Sequence, residues 1–292
     1  TCTFFMMKNL PGTPFDAERF SIMTPQQQER VLEMYGLNDS LPMQYVKYIK
    51  NMLKGDLGTS FTYVNQDVSK VITGRLGPSA LIGIQAVLIG LAIGLILGIL
   101  AAWKHNSGID YFTMILAVLG VSVPNFVAAA LLQYYIGLKW GALPVGFWTG
   151  WNCSVLPSIA LSFSATAMVA RFMRTEMLDV LDQDYIVTAR AKGLSQMKVL
   201  MRHAVRNSIL PVVTILGPIV VNLMTGSLAV ENIFSIPGIG SLFVDCIKAN
   251  DYPVIMGITI FYAAFYMLIV LLVDLAYSLI DPRIRLAKGK ES

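Results

Sequence analysis

The sequence predicts an all-α membrane protein. Three observations carry that prediction: five long stretches without a charged side chain, little charge overall, and a basic segment between two of those stretches that reads as helix, glycine, helix. Of 292 residues, 55% are hydrophobic and 14% are charged, whereas soluble domains carry about 25% charged residues. The charge-free stretches are Leu76 to Trp103, Tyr111 to Leu138, Trp140 to Ala170, Asn207 to Val230 and Tyr252 to Val273. Each reaches the roughly 20 apolar residues needed to cross a hydrocarbon core about 30 Å thick. The third begins with a loop, Gly141 to Asn152, so its span starts near Leu156.

Residues 1–10 open the element order. Thr1-Cys2-Thr3-Phe4-Phe5-Met6-Met7 runs up to Lys8, with Pro11 and Gly12 just beyond. A segment that short cannot span a bilayer. It reads as the end of a first membrane helix whose start lies outside the sequence, which implies six spans natively.

Residues 11–76 form the second part, polar and helical. Thr24-Pro25 is a helix start, a capping residue followed by proline at the first helical position, and Gly36 ends that helix. Ser40 can cap a second helix, in which Leu41, Tyr45, Tyr48, Ile49 and Met52 make an apolar stripe before Gly55 stops it. A third short amphipathic piece runs through Val68, Val71, Ile72 and Leu76. A cap on the membrane face is one role for this part, and contact with an external delivery protein is the other.

Residues 77–292 form the core, with five spans and a loop at about 172–208. Gly90, Gly94 and Gly98 recur every four residues, a face that lets another helix approach closely. Pro124 and the pair Gly217-Pro218 interrupt two other spans, where irregular backbone is tolerated if it faces protein or a wet cavity. Gln133 and Asn222 are amides at membrane depth; with Pro218 they are candidates for lining a pathway, or they bond a neighbouring helix. Asp274 is the charged residue set well inside a run, near one membrane surface, where a structural ion pair is the simpler role.

Loop charges set the orientation. Lys104, the loop cations Arg171, Arg174, Arg190, Lys192, Lys198, Arg202 and Arg206, and the tail cations Arg283, Arg285, Lys288 and Lys290 share one side. The opposite loops of the core carry Lys139 and Lys248. The basic side is cytoplasmic, which puts the C-terminus inside and residues 11–75 outside. Cys2, Cys153 and Cys246 are too scattered for a metal site and read as isolated thiols.

The basic segment Asp184 to Pro211 carries the functional signal. Tyr185 to Lys192 has helical spacing, Gly193 is placed to stop that helix, and Ser195 can cap the next. Ala189, Ala191 and Ala204 keep the surface shallow between flanking cations, as suits a short helix set into a partner's groove. His203 has no carboxylate at i±4 and suits docking better than catalysis. Glu231, at the start of the next loop, reads as a solvated helix-end carboxylate. The sequence shows no phosphate-cradling glycine loop, no His-Glu-x-x-His and no Gly-x-Ser-x-Gly, so ATP hydrolysis by this chain is not expected. A secondary transporter would need more intramembrane charge than Asp274 supplies.

That segment resembles the coupling segment of ABC-importer permeases, the EAA loop, and the oligopeptide and dipeptide branch in particular. The residues that carry the resemblance are Asp184-Tyr185, Thr188-Ala189-Arg190-Ala191-Lys192-Gly193-Leu194, Arg202-His203, Arg206-Asn207 and Pro211. Gly55-Asp56-Leu57-Gly58-Thr59-Ser60-Phe61, Ile233 to Gly240 with Asp251-Tyr252-Pro253, and Asp274 with Asp281 to Arg285 resemble the same branch in the same order. The broader family's Glu-Ala-Ala falls on Val187-Thr188-Ala189, so only the last alanine and Gly193 survive. The resemblance implies a type I ABC importer permease fold and the first of two unlike permease subunits. It implies a second permease, two cytoplasmic ATPases and an extracellular peptide-binding protein as partners, within the lipid of a bacterial inner membrane and with no nucleic acid. It implies no cofactor on this chain, ATP and Mg being bound by the ATPases. Asp184, Tyr185, Thr188, Ala189, Arg190, Ala191, Lys192, Gly193, Leu194 and His203 would then serve ATPase coupling.

Overall fold

The structure, a computed structural model, describes residues 1–8, 20, 22–34, 36–63, 66–224 and 228–280. Among these residues the secondary structure is helical, apart from a single antiparallel bridge between Thr59 and Asp67. Twelve helices are named here. They are α1 Cys2–Lys8, α2 Pro25–Met34, α3 Leu41–Met52, α4 Val68–Trp103, α5 Gly108–Ser122, α6 Asn125–Leu132, α7 Val155–Leu181, α8 Asp184–Ala191, α9 Arg206–Met224, α10 Leu228–Ile233, α11 Ile239–Lys248 and α12 Tyr252–Ile280. A π-helical turn, Gln133–Lys139, continues α6, and a second one, Val199–Val205, leads into α9.

Four stretches among the described residues are long and apolar enough to cross a membrane: those holding α4, α7, α9 and α12. The bent pair formed by α5 and α6 with its π turn makes a fifth when counted as one span, with 100° between its arms. Pro124 sits at that bend as the cap of α6, where its missing N–H costs no helical bond. Pro218 lies inside α9 without ending it. The tail and the Asp281 to Arg285 motif lie outside the described residues.

The chain divides into two units. The first holds Thr1–Gly77 and Pro237–Ala263. Its core joins Val68, Val71 and Ile72 to Ile239, Leu242, Cys246, Val254, Ile255 and Ile258. Gly257 lets that contact form: a Cβ there would lie 2.5 Å from Val68 Cγ1. The short amphipathic piece expected around Val68 to Leu76 is the first part of α4 rather than a separate helix. In α2, Thr24 and Gln27 exchange reciprocal capping bonds, Thr24 N–H to Gln27 Oε1 at 2.9 Å and Gln27 N–H to Thr24 Oγ1 at 3.4 Å. Ser40 takes the N-cap position of α3 without a side-chain capping bond.

The second unit holds Pro78–Ile236 and Ala264–Ser292. Helix α7 is its centre: 67% of its most apolar window is buried, and α5, α6 and α9 pack on it. It also continues to Leu181, well past the expected end of its span, so part of the loop expected at 172–208 is helix. The Gly90, Gly94 and Gly98 face lies against it. A Cβ at those positions would meet Ala165 Cβ at 2.7 Å, Val169 Cβ at 2.7 Å and the Ala170 carbonyl at 2.6 Å.

Candidate functional site

The segment after α7 folds as a compact hook. Ile186, Ala189 and Val199 are buried together, with Val180 and Leu181 packed against them. Further on, Leu200 and Ala204 sink into the core cluster that holds Met173 and Met177. Ala189 and Ala204, expected on the shallow surface, are therefore inside it, at 6% and 0% exposure. What the hook exposes is Asp184, Tyr185, Thr188, Arg190, Ala191, Lys192, Gly193 and Leu194. Val187, Met197 and Met201 are also exposed, at 60%, 50% and 54%, so the exposed surface is apolar between charges. His203 is half-buried in the second π turn.

Gly193 closes α8. Its φ is +79°, a left-handed conformation with open space beside it, and its N–H reaches the Arg190 carbonyl at 2.9 Å. Leu194 N–H bonds the Ala189 carbonyl at 3.3 Å, so the last turn keeps its acceptors satisfied. Ser195 stands at the next N-cap position without a side-chain bond. One bond ties the hook to a span, and a second joins two spans beside it. Asn207 Nδ2 donates to the Tyr185 hydroxyl at 2.9 Å, and Ser208 Oγ donates to the Glu176 carbonyl of α7 at 3.2 Å.

A buried ion pair braces the same end of α7. Arg174 donates from Nε to Asp110 Oδ1 at 2.5 Å and from NH2 to Oδ2 at 2.8 Å. The Asn106 N–H donates to Asp110 Oδ2 at 3.0 Å, and His105 Nδ1 lies 3.1 Å from the same oxygen. Asp110 is 2% exposed. Counting Arg174 only as one of many loop cations hid this role; the lone carboxylate opening α5 among basic residues was its available signal.

The pathway candidates separate. Gln133 donates to the Val145 carbonyl at 2.5 Å and to the Ile233 carbonyl at 2.7 Å, so its amide holds a loop to the end of α10. Asn222 lines a cavity of about 300 Å3 with Asn125, Ser164, Met168, Ile219 and Leu223. Pro218 is exposed one turn before Asn222 on α9. Glu231, expected to be solvated, is instead 2% exposed and accepts a bond from Ser79 Oγ at 2.7 Å. A buried carboxylate needs such a donor, and no local pattern links Ser79 to it, since 152 positions separate the two. Asp274 is exposed on α12.

In the first unit the motif Gly55 to Phe61 is fastened to Asp251. Ser60 Oγ donates to Asp251 Oδ2, and the Thr62 N–H donates to the same oxygen at 3.0 Å. Asp251 Oδ1 accepts from Val254 N–H at 3.4 Å at the start of α12. Gly58, with φ +85°, turns this loop while its N–H bonds Asp56 Oδ1 at 2.8 Å. Cys2, Cys153 and Cys246 are free thiols, the last two buried. Burial, with Asp251 and Asp245 nearby, pushes the Cys246 thiol up to about 12.

Residues 94–286 match the family of binding-protein-dependent transport system inner membrane components. The chain is 45% identical over 286 residues to the dipeptide transport system permease protein of Lactococcus lactis subsp. cremoris, covering 98% of this chain and 93% of that one. It is 39% identical over 289 residues to the oligopeptide transport system permease protein of Salmonella typhimurium, with 98% and 93% covered. Among solved structures, the methionine ABC transporter MetNI in an inward facing conformation matches with a TM-score of 0.62 at 14% identity. That match covers 73% of this chain and 97% of the other. An amino acid ABC transporter matches with a TM-score of 0.55 at 19% identity, over 74% and 94% of the two chains. Both likenesses are of fold, and the fold is that of type I ABC importer permeases.

Proposed function

This chain belongs to the binding-protein-dependent transport inner membrane components, and from that membership we propose how it works in its importer. It is a permease subunit of the peptide ABC importers. It forms half of the translocation pathway beside a second, unlike permease, with two ATPases on the cytoplasmic side and a peptide-binding protein outside. The chain binds no cofactor of its own; ATP and Mg are held by the ATPases. Residues 11–76, with the Gly55 to Phe61 loop, face the outside, and the hook and the C-terminus face the cytoplasm of a bacterial cell. Residues 1–10 would end a first span, 11–76 form the outer part, and 77–292 the core.

The observation that supports coupling most directly is the hook's arrangement, outward-facing on one side and anchored on the other. Val187 and Ala191, four residues apart on α8, are both exposed beside Asp184, Thr188 and Arg190. Side chains four apart share a helix face, so they offer a partner's groove an apolar strip edged by charge. Behind the strip, Ile186 and Ala189 lock α8 to the hook, Tyr185–Asn207 ties it to α9, and Ser208–Glu176 ties α9 to α7. A push on α8 therefore moves the ends of two spans together. ATPase closure would bias the spans between inward-open and outward-open states through this lever.

The test uses the importer reconstituted in liposomes. Val187→Glu should leave membrane insertion and partner co-purification of the second permease intact while lowering ATP-driven peptide uptake at least ten-fold. Unchanged uptake would remove α8 from the coupling surface. Co-purification of the tagged wild-type chain should bring down a second permease and two ATPases in comparable amounts.

A further inference from the structure

We propose that the cavity where the end of α2, α3 and the Gly55 to Phe61 loop meet is a binding site for an organic cation, an alkylammonium or guanidinium group. The cavity holds about 350 Å3, and all its lining residues belong to the first unit. Its chemistry stands on that geometry; that the cation arrives from outside the cell rests on the importer reading above.

Aromatic rings make much of the wall, in two pairs. Phe4 of α1 and Tyr48 of α3 have centroids 6.0 Å apart, and Phe61 and Tyr252 have theirs 6.1 Å apart. Rings of this kind attract ammonium and guanidinium groups that come within about 6 Å of a centroid, through the negative potential of their π faces. They accept apolar groups as well, so the charges beside them decide the ligand class.

Those charges favour a cation. Glu33, at the end of α2, and Asp56, in the loop, both line the cavity. Asp56 accepts the Gly58 N–H through Oδ1 at 2.8 Å, and its Oδ2 makes no bond among the described residues. The cation among the lining residues, Lys47, is already paired with Asp39 at 2.6 Å. An anion would therefore be repelled by two carboxylates, whereas an ammonium or guanidinium group meets opposite charge and aromatic rings together.

Tyr48 supplies an independent observation. Its hydroxyl is buried and, among the described residues, makes no hydrogen bond. Buried polar groups are nearly always bonded, so a ligand donor at this oxygen would relieve a cost that the fold otherwise carries. Burial pushes the Tyr48 pKa up to about 12, so the hydroxyl stays neutral at physiological pH. Its oxygen can then accept from an N–H of the cation, and both cation types carry several such donors.

The test titrates the complete importer in nanodiscs with agmatine, which carries a guanidinium and an ammonium group, and reads binding by calorimetry. Hexanamide and hexanoate serve as neutral and anionic probes of similar length. Agmatine should bind at least about ten-fold more tightly than either. Glu33→Gln and Asp56→Asn should each weaken agmatine about three-fold, the new amide of the second keeping an acceptor for Gly58. Tyr48→Phe should weaken it about five-fold, the worth of one hydrogen bond. Glu29→Gln, at an exposed carboxylate outside the cavity, should change nothing. Equal binding of the three probes, or unchanged agmatine binding in cavity variants that keep the wild-type unfolding midpoint, would overturn the site. Two further arms find the source of the cation. Agmatine that displaces the peptide-binding protein from the importer assigns it to a side chain of that protein. A free peptide that binds well only with its N-terminus unacetylated assigns it to the peptide. An importer that takes up no peptide would remove the importer reading and leave agmatine binding to be judged by itself.

Discussion

At the scale of single residues, Asp110 is the group on which the base of α7 depends. Its carboxylate is buried and held by two bonds from Arg174, one from Asn106 N–H and a close His105 ring. Losing one member of such a pair costs about 3–5 kcal/mol because the other charge is stranded. Arg174→Met alone should therefore lower the unfolding midpoint of the purified chain sharply. The double variant Asp110→Leu, Arg174→Met should recover most of the loss, and a midpoint no higher than that of the single variant would argue against a stranded charge. Cys246 gives a second expectation at this scale. Its thiol, 1% exposed and pushed up to about 12, stays protonated when folded. Maleimide at pH 7 to 9 should label the exposed Cys2 and leave Cys246 unmodified until denaturant is added. The folded pKa lies above the unfolded value of about 8.5, so this thiol's contribution to stability is intact below that value. It should fade as pH rises from there towards 12, which alkaline denaturation of a Cys246→Ala variant against the wild type will report.

At the scale of elements, the glycine face and the hook are the parts that substitution can address. Gly94 has Val169 Cβ where its own Cβ would stand. Gly94→Val should force α4 from α7 and destabilise by about 1–3 kcal/mol or more, measured as a lower unfolding midpoint. Gly193, at φ +79°, cannot be replaced by proline, whose φ is fixed near −65°. Gly193→Pro should abolish uptake with the chain still inserted. The sequence made these elements legible because charge-free runs and four-residue glycine spacing depend on local pattern alone. It did not separate the buried from the exposed alanines of the hook. That division depends on how Val199 and Leu200 fold back, through a π turn that shifts the helical register. Asn125 is a similar case. Its place at a cavity follows from the 100° bend, whose size Pro124 does not set by itself.

At the scale of the whole molecule, the family and the fold were readable from one sequence, since motifs in fixed order run almost from end to end. The burial of Glu231 against Ser79 was not, because the two are separated by 152 positions and no local pattern links them. The same kind of separation shapes the first unit. Its core closes when Val68, Val71 and Ile72 meet Ile239, Leu242 and Ile255. During synthesis, the residues from Ile72 to Ile239 take roughly 8 to 33 s to add at about 5–20 residues per second. For that interval the N-terminal part has left the ribosome without the helices that complete it. A chain arrested near residue 230 should leave a cysteine placed at Val71 open to labelling, and one arrested only after the full sequence should not. The order of synthesis thus holds Val68, Val71 and Ile72 without their partners until the unit's second segment, Pro237–Ala263, has been made.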